Sequence, residues 1–536
     1  MKRFFLVSLI LIVGSFIVAQ DRPGTENWSL DLFQDAEVAG TVDRSADSTI
    51  VRSRNVMVRP ELFADKAGPH EGRQEAGAVT ILNLFPDVYF TAVLDRVEYN
   101  KSGSMTWMGH LEEVENGTVA MVIGQDNVVV GNIVMPGAMY QVRYAGKGVH
   151  VVLEINEAAM PEDAEPVEVD NGSRHDEVAP PPIQTRDSSS VIDVLVVYTP
   201  NARSAEGGTT AINNLVDLAI AETNQSYSNS GVNFQLNLVY KGEVSYTESS
   251  NFSTNLSRLT NKTDGYLDNV HSLRDQYCAD EVALIIDGSQ YCGIANLMTS
   301  VSGSFEDRAF SVTARTCATG YYSFGHELGH TMGARHDWYV DSSSSPYVYN
   351  HGYVKRSSNW RTIMAYNSEC SDNGTSCTRL QYWSNPNVTY GGSPMGVGGS
   401  TSGSSAYNAL ALNNSAAVVA NFRDSTGSCS GGSGGCSGTS YSGTLTGTGD
   451  VEYEPNGSYY YSSTSGSHTA SLSGPGNADF DLYLQKWNGS AWANVGSSES
   501  SSSTESISYN GTSGYYRWRV YSYNGSGSFD LCTTKP

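Results

Sequence analysis

The chain of 536 residues has little positive charge for its length. It carries 32 lysines and arginines against 56 aspartates and glutamates, which gives a formal net charge of -24 at pH 7. A surface this acidic repels nucleic acids and anionic membranes, so the sequence argues against partners of both kinds. Long apolar runs are also scarce, because none beyond the N-terminus is long enough to cross a bilayer.

Cysteine is missing from the first half of the chain. The eight cysteines all lie at or beyond Cys278, and they can form disulfides if the protein is exported to an oxidising compartment. Three sets are placed to pair: Cys370 with Cys377, Cys278 with Cys292 or Cys317, and Cys436 with Cys532. Eight cysteines allow too many pairings for the sequence to select one connectivity.

The N-terminus has the layout of a signal peptide. Lys2 and Arg3 precede an apolar run from Phe4 to Val18, and the small Ala19 follows, which predicts cleavage after that alanine. The alternative is a membrane anchor, but a span usually needs about 20 apolar residues and this run is shorter. We therefore expect a secreted, extracellular protein that has no membrane anchor in its mature form.

The length predicts about three or four folding units after removal of residues 1–19. The first region, 20–187, contains strand-like runs: Val88–Val93, Val119–Ile123, Val128–Val134 and Val149–Ile155. It ends in an acidic, proline-rich stretch from about Met160 to Ser190, which is expected to bury no core and to be readily cut. Region 20–187 is therefore interpreted as a β-rich propeptide with a linker, cleaved near Arg186.

Residues 188–424 alternate strands and helices, as an α/β domain does. The apolar, β-branched run Val191–Tyr198 predicts a buried strand, and apolar residues at helical spacing from Ile212 to Ile220 predict a helix that Gly231 ends. Four further elements are predicted: strand Val232–Tyr240, helix Tyr266–Tyr277, strand Glu281–Ile286 and helix Ala406–Arg423.

Glycine and serine dominate residues 425–438, which predicts a flexible linker. Beyond it, 439–536 has tyrosine, tryptophan, serine and glycine in short alternating segments, such as Phe480–Leu484 and Tyr515–Tyr523. This pattern predicts a small β-sandwich. The fold class is therefore multidomain α+β, with an α/β domain between a β-rich N-terminal region and the sandwich.

The residues that carry chemistry are concentrated in the stretch from His326 to Asp337, which reads HELGHTMGARHD. On a helix, His326 and His330 are one turn apart and project from the same face, so both can bind one metal ion. Gly333 can adopt a positive φ, which lets the helix stop and brings His336 back as a third ligand. A fourth position then stays open for water, as in catalytic zinc sites.

Glu327 lies beside the first ligand, too far off the ligand face to bind the metal well but within reach of a water bound there. Zinc with three protein ligands lowers the pKa of such a water to about 7. Glu327 would take its proton during attack on a peptide carbonyl and return it to the leaving amine. The alternative, a solvated helix that carries histidines by chance, requires a coincidence on the order of 10⁻⁵.

The whole stretch resembles the zinc-binding signature of the metzincin metalloproteases, and Asp337 after the third histidine is similar to the reprolysin (adamalysin) branch. Downstream, Thr362–Tyr366 resembles the Met-turn, which places a methionine, here Met364, beneath the metal; ordinary core packing is the alternative. Tyr366 is similar to the tyrosine that astacins and serralysins place near their metal, and a packed tyrosine is the alternative. The resemblance implies a metzincin-type catalytic domain, with a mixed sheet and a zinc-binding helix, of a bacterial secreted type.

Two further features follow from this resemblance. Cys292–Met298 resembles the edge strand that pairs with an extended substrate, where main-chain hydrogen bonds hold any sequence and pockets select among them. Some metzincin propeptides silence the zinc with a cysteine, and the lack of cysteine before Cys278 excludes that device here. A ligand near His175 and Asp176 can substitute, although a solvated charge cluster is the favoured interpretation. Steric cover by the propeptide needs no ligand.

Residues 441–532 resemble the bacterial pre-peptidase C-terminal module, chiefly through Asp479–Leu484 and Gly527–Leu531. Relatives carry this module on secreted proteases, where it is removed or helps in export or substrate attachment. Calcium is compatible with an acidic secreted protein, but no EF-hand or repeat motif supports it.

The sequence thus predicts a secreted zinc metalloendopeptidase that is made as a zymogen, with its own propeptide as inhibitor. Proteins or peptides are the expected substrates, and Zn²⁺ is the expected cofactor. A catalytically silent zinc protein that binds or adheres through its C-terminal sandwich is the main alternative, although structural zinc usually has four protein ligands. A second alternative is that the C-terminal sandwich binds carbohydrate, and this alternative predicts carbohydrate binding that survives removal of the metal by a chelator.

Overall fold

A computed structural model describes residues 31–36, 47–63, 78–124, 127–169, 190–423, 439–455, 457–475, 478–500 and 502–536. The described chain divides into two compact units. The first runs to Ala159 and includes Glu206–Leu218, and the second comprises Met160–Ala205 and everything from Ala219 onward. Several predicted features lie outside the described residues: the signal peptide, the cleavage near Arg186, His175 and Asp176, the 425–438 linker and Cys436.

The first unit is rich in β-structure, as predicted. Its nine strands are β1 Phe33–Asp35, β2 Ile50–Val58, β3 Val79–Phe85, β4 Val88–Tyr99, β5 Met105–Leu111, β6 Thr118–Ile123, β7 Val129–Met135, β8 Ala138–Gly146 and β9 Val149–Ile155. They form one antiparallel sheet in the order β1-β2-β9-β8-β7-β6-β5-β4-β3. An isolated bridge between Asp31 and Ile81 links the two ends of this order, and Phe63, Trp107 and Met121 contribute to the core.

The second unit contains a mixed sheet of six strands. They are β10 Val167–Glu168, β11 Val191–Tyr198, β12 Gln235–Glu243, β13 Glu281–Ile286, β14 Gly293–Leu297 and β15 Phe310–Ala314, in the order β10-β14-β15-β13-β11-β12. Strands β11, β12, β13 and β15 run parallel, β14 is antiparallel to β15, and β10 is parallel to β14. The central strands are apolar because both of their faces are buried.

The described residues contain seven α-helices: α1 Pro200–Glu206, α2 Thr209–Ser230, α3 Phe252–Thr260, α4 Asp268–Gln276, α5 Ser323–Thr331, α6 Ser368–Ser371 and α7 Asn408–Val419. Gly231 has a φ of +69° and ends α2, as predicted. The strand predicted from Val232 begins only at Gln235, because Val232 donates its amide to the carbonyl of Tyr227 and belongs to the helix terminus. Among these described helices, none is long and apolar enough to cross a membrane.

Short strands follow α5 in the same unit. They are β16 Val354–Lys355, β17 Trp360–Arg361, β18 Thr378–Arg379, β19 Asn385–Tyr390 and β20 Ser393–Met395. The candidate pair Cys370 and Cys377 forms a disulfide, and Cys292 pairs with Cys317. Pairing of Cys278 with either of these last two cysteines is therefore wrong. They pair with each other because they flank the antiparallel neighbours β14 and β15.

The C-terminal region consists of two antiparallel sheets. Its strands are β21 Thr439–Leu445, β22 Val451–Glu454, β23 Tyr460–Ser462, β24 Gly466–Ser473, β25 Asp479–Trp487, β26 Trp492–Ser498, β27 Thr504–Gly511, β28 Gly514–Asn524 and β29 Gly527–Thr534. One sheet has the order β21-β29-β24-β27, and the other has the order β22-β28-β25-β26 with β23 beside β28. Leu472 and Leu531 of the first sheet and Leu482 and Trp518 of the second share one core.

Candidate metal centre and active site

Helix α5 brings three histidines to one point. It places His326 and His330 on one face, and it ends at Thr331. Gly333 then has a φ of +91°, so the chain turns back and His336 reaches the other two, as predicted. The three Nε2 atoms lie 3.0–3.1 Å from one another, and all three rings are buried.

The histidine cluster fits a divalent metal. Nδ1 of His326 lies 2.9 Å from the carbonyl oxygen of Ile363, and Nδ1 of His330 lies 2.8 Å from that of Ala334. A proton on each Nδ1 leaves the Nε2 lone pairs free for a metal. Burial lowers the pKa of both imidazoles well below the usual value, which keeps them neutral. Tetrahedral zinc would hold such nitrogens about 3.4 Å apart, close to the observed spacing.

Glu327 lies beside the cluster and against the edge of the sheet. Its two carboxylate oxygens are buried and accept no hydrogen bond from any residue that the structure describes. A Cβ atom on Gly293 would lie only 2.3 Å from Glu327 Oε1, so glycine at the start of β14 leaves room for the carboxylate. Burial, with the charge of Asp163 as a lesser cause, raises the pKa of Glu327 well above its usual value, and a cation at the histidines would act in the opposite direction.

The segment predicted as a Met-turn lies under α5. The amide of Ala365 donates to the carbonyl of Thr362 at 3.0 Å and closes a tight turn around the buried Met364. A Cβ atom on Gly329 would lie 3.1 Å from Met364 Sδ, which shows how closely the turn approaches the helix. The ring of Tyr366 lies 4.1 Å from that of His336, between centroids. Its hydroxyl donates to a peptide carbonyl, that of Asp163, at 2.5 Å.

Two buried side chains hold the third histidine in place. The Asp337 carboxylate accepts the amide of Tyr366 at 2.8 Å, which ties the His336 segment to the turn. Nδ1 of His351 lies 2.7 Å from the carbonyl oxygen of His336. The His351 ring stacks on that of Trp338, with 3.7 Å between the ring centroids. His351 was not a candidate from the sequence, because an isolated histidine in a loop gives no pattern to identify it.

The acidic segment Met160–Val169 lies along β14. The Cys292 amide donates to the carbonyl of Glu162 at 3.1 Å, and the Ala164 amide donates to the carbonyl of Gly293 at 2.8 Å. Strand β10 then continues this pairing in parallel with β14. The expectation that this stretch buries no core is wrong for 160–169, where Met160, Asp163 and Ala164 are buried. The main chain of β14 and two buried arginines provide partners for the polar groups of the segment.

Asp163 is the most deeply placed acid of this segment. One of its carboxylate oxygens lies 2.6 Å from Nη2 of Arg379, and both side chains are 0% exposed. Its carboxylate, that of Glu327 and a ring nitrogen of His326 lie within 4.8 Å of one another. Burial by itself would raise the pKa of Asp163, but the charge of Arg379 and hydrogen bonds from Ser323 and Arg379 outweigh burial and lower it.

Arg379 is fixed by hydrogen bonds to two backbone carbonyls and one hydroxyl. Its Nε donates to the carbonyl of Ile363 at 2.8 Å, and its Nη1 donates to the carbonyl of Tyr321 at 3.1 Å and to the Ser323 hydroxyl at 3.2 Å. Its Nη2 faces Asp163 and also lies 2.7 Å from His326 Nδ1. Sequence reasoning missed Arg379, because one arginine between Thr378 and Leu380 carries no motif.

A buried three-histidine cluster that could hold a metal ion lies beside a buried glutamate, on a helix that packs against a mixed sheet, which is the arrangement expected of a metallopeptidase. Residues 188–384 match the model of metallopeptidase family M12. A peptidyl-Asp metalloendopeptidase of Stenotrophomonas maltophilia (strain R551-3) is 40% identical over 358 residues, covering 62% of this chain and 80% of that protein. One of Xanthomonas campestris pv. campestris is 38% identical over 348 residues, covering 62% and 79%. The chain therefore belongs to family M12, and it is a reprolysin-like metalloendopeptidase that acts on proteins or peptides.

Two solved structures show weaker likenesses. The pre-peptidase C-terminal domain of a Bacillus anthracis collagenase is 16% identical and covers 18% of this chain and 89% of that chain, with a TM-score of 0.16. A chaperone–substrate complex is 18% identical and covers 44% of this chain and 36% of that chain, with a TM-score of 0.33. At TM-scores this low, neither structure establishes a fold for this chain.

Proposed function

We propose that the protein is a secreted zinc endopeptidase in which His326, His330 and His336 hold the metal and Glu327 is the general base. The main support is the convergence of three buried Nε2 atoms at 3.0–3.1 Å beside the buried Glu327 carboxylate. Three imidazoles are one of the ligand sets of catalytic zinc, whereas structural zinc usually has four protein ligands, often cysteines.

Zinc bound at this cluster would polarise the scissile carbonyl and make water more acidic. Glu327 accepts a proton from the attacking water at a carboxylate oxygen and then returns that proton to the leaving amine. The main chain of β14 holds the substrate in extended form by strand pairing, as it holds residues 160–169 here. The Tyr366 hydroxyl, which already donates to a peptide carbonyl, donates to a substrate carbonyl oxygen as negative charge develops.

We assign domains along the same lines. Residues 1–19 are a signal peptide, 20–187 an inhibitory propeptide with its linker, and 188–424 the metzincin catalytic domain. A Gly/Ser linker, 425–438, leads to a pre-peptidase C-terminal-like β-sandwich at 439–536. The pairing of 160–169 with β14 supports a zymogen. The disulfides Cys292–Cys317 and Cys370–Cys377 support export.

We also propose that the enzyme cuts next to aspartate. The relatives from S. maltophilia and X. campestris are named peptidyl-Asp metalloendopeptidases, and about four fifths of each is matched by this chain. Digestion of a whole proteome by the processed enzyme, followed by mass spectrometry of the new termini, tests this specificity. Aspartate should adjoin most cleavage sites, and termini without any preferred residue would contradict the assignment.

The proposed mechanism is tested by casein hydrolysis with enzyme processed from the full-length chain. A chelator should abolish hydrolysis and added zinc should restore it. Glu327→Gln should lower kcat by about 10²- to 10⁴-fold while the protein binds the same amount of zinc. The control is Glu243→Gln, which alters an exposed carboxylate on β12 and should leave kcat unchanged. Equal digestion by the Glu327 variant would refute the mechanism, and wild-type protein that binds zinc without hydrolysis would favour a catalytically silent protein.

A further inference from the structure

We propose that Arg379 binds the aspartate side chain of the substrate, and that Asp163 of the same chain occupies this position in the unprocessed protein. Arg379, with the residues that fix it, Tyr321, Ser323 and Ile363, is called the Arg379 pocket below. The inference rests on the proposed function, because only a peptidase that cuts next to aspartate needs such a pocket.

The first argument is the position of the Arg379 pocket. Arg379 Nη2 lies 2.7 Å from His326 Nδ1, on the ring that also carries one of the three converging Nε2 atoms. The Asp163 carboxylate bound there lies within 4.8 Å of the Glu327 carboxylate. A side chain seated in the pocket therefore belongs to a residue next to the bond that the proposed base and metal act upon.

The second argument is charge. The side chains of Arg379 and Asp163 are both 0% exposed, and a buried charge is tolerated only when it is paired. When the 160–169 segment leaves, the guanidinium loses this carboxylate partner. A substrate carboxylate replaces the Asp163 carboxylate in this pair, whereas an amide or an apolar side chain brings no negative charge to Arg379 Nη2. The pocket is therefore selective for an acidic side chain.

The third argument concerns length. Nε and Nη1 of Arg379 are bound to the carbonyls of Ile363 and Tyr321, so the guanidinium cannot retreat to admit a longer side chain. Asp163 reaches it at 2.6 Å while its own backbone carbonyl is held by the Tyr366 hydroxyl. A glutamate on the same backbone carries one more methylene group, so its carboxylate would overrun the position from which Asp163 makes the 2.6 Å contact. This geometry favours aspartate over glutamate.

The fourth argument is that the 160–169 segment is held as a strand partner. Glu162 and Ala164 exchange main-chain hydrogen bonds with Cys292 and Gly293, on either side of Asp163. Strand β10 extends the pairing, and Glu168 is anchored by Arg335 at 2.7 Å. Because one segment covers both β14 and the Arg379 pocket, substrate cannot enter until it leaves.

The proposal that Arg379 selects aspartate is tested with enzyme processed from the full-length chain. Its substrates are four quenched-fluorescent peptides that are identical except at one position, which is Asp, Asn, Glu or Leu. Wild-type enzyme should prefer Asp over Asn by at least about 10²-fold in kcat/KM, and Asp over Glu by about 10- to 200-fold. Arg379→Met should bring the Asp/Asn ratio close to one, whatever its absolute rate on each peptide, because the ratio cancels any general loss of activity. Arg379→Lys, which retains the charge, should keep part of the preference.

The control is Arg274→Met, because Arg274 is another buried arginine, whose guanidinium donates to the carbonyls of Ala279 and Glu306 rather than to a residue of the Arg379 pocket. It should change the rates for all four peptides by the same factor and leave the Asp/Asn ratio intact. A ratio that is unchanged in the Arg379 variants would overturn the assignment of the pocket. Wild-type enzyme that cuts none of the peptides and no protein would instead refute the proposed function itself.

The proposal that Asp163 occupies the Arg379 pocket in the unprocessed protein is tested with wild-type enzyme. A synthetic peptide of residues 157–169 should inhibit the wild-type processed enzyme competitively and be recovered uncut. Asp163→Asn in this peptide should weaken inhibition by about 10²-fold or more, and Asp163→Glu by about 10-fold or more. The control Glu165→Gln removes an acid that lies 3.5 Å from His336 Nδ1 but is 67% exposed, so solvent screens this contact and inhibition should change less than about threefold. Equal inhibition by the parent peptide and its Asp163→Asn variant, or consumption of the parent peptide at a substrate's rate, would overturn this half.

Discussion

The histidine cluster and the Arg379 pocket lie side by side at His326, but the chain builds them in opposite ways. The cluster comes from one helix and the turn that follows it, so its geometry is set by local backbone. The Arg379 pocket combines Arg379 with Tyr321 and Ile363 from separate segments, and its occupant, Asp163, is 216 positions away from Arg379 in the chain. The cluster, which is built from local backbone, can keep its geometry while the Arg379 pocket, which is assembled from distant segments, gains or loses its occupant.

The largest expected effect is on the cluster. His336→Ala should reduce bound zinc from one ion per chain to a small fraction, because two imidazoles on one helical turn cannot hold the ion alone, and activity should fall below detection. Metal analysis of dialysed protein measures this. His351→Ala keeps all three ligands but loses the contacts to the His336 and Ser343 carbonyls and the stacking on Trp338, so zinc affinity should fall by about 10- to 100-fold. Equal zinc loss in both variants would mean that the cluster is not the local unit described.

The second prediction concerns Gly293, where β14 meets both regions. Gly293→Ala places a methyl group 2.3 Å from Glu327 Oε1 and displaces the carboxylate, so kcat should fall by about 10²-fold. The Asp/Asn preference should be retained, because Arg379 does not move. Gly303→Ala is the matched control, since a Cβ there meets nothing within 4 Å. Loss of the preference together with kcat would show that the two regions are coupled.

The smallest effect on catalysis is expected at Glu281, where the prediction concerns the pH dependence of the free energy of unfolding. This buried carboxyl accepts the Thr331 hydroxyl at the end of α5, and burial raises its pKa from 4.5 to about 8. The unfolded chain gives up that proton near pH 4.5, so the stability contributed by the neutral carboxyl is present below that pH and is lost as the pH rises towards 8. Each pH unit in this window costs up to about 1.4 kcal/mol.

Glu281→Gln should remove that dependence, which thermal unfolding at pH 5, 6, 7 and 8 measures as a flatter Tm profile. The exposed Glu243→Gln serves as control and should follow the wild-type profile. Parallel profiles for wild type and Glu281→Gln would show that this carboxyl ionises normally in the folded protein.

Local signals account for what the sequence predicted well. His326, His330, Gly333 and His336 are fixed by helical spacing and one glycine turn, and strand Val191–Tyr198 has the bounds that its apolar run indicates. The sequence predicts 160–169 to be part of a linker that buries no core, because the acids of this segment find their partners only in tertiary structure. Arg335 and Arg379 supply those partners, and neither arginine has a pattern around it that marks it as buried.

The central claim is that three imidazoles hold one catalytic zinc ion. Anomalous X-ray diffraction at the zinc absorption edge, from crystals of zinc-loaded and active protein, tests it most directly. The account predicts a single strong peak about 2.0–2.1 Å from the Nε2 atoms of His326, His330 and His336. A peak elsewhere in the chain, or active crystals with no peak at these histidines, would contradict it.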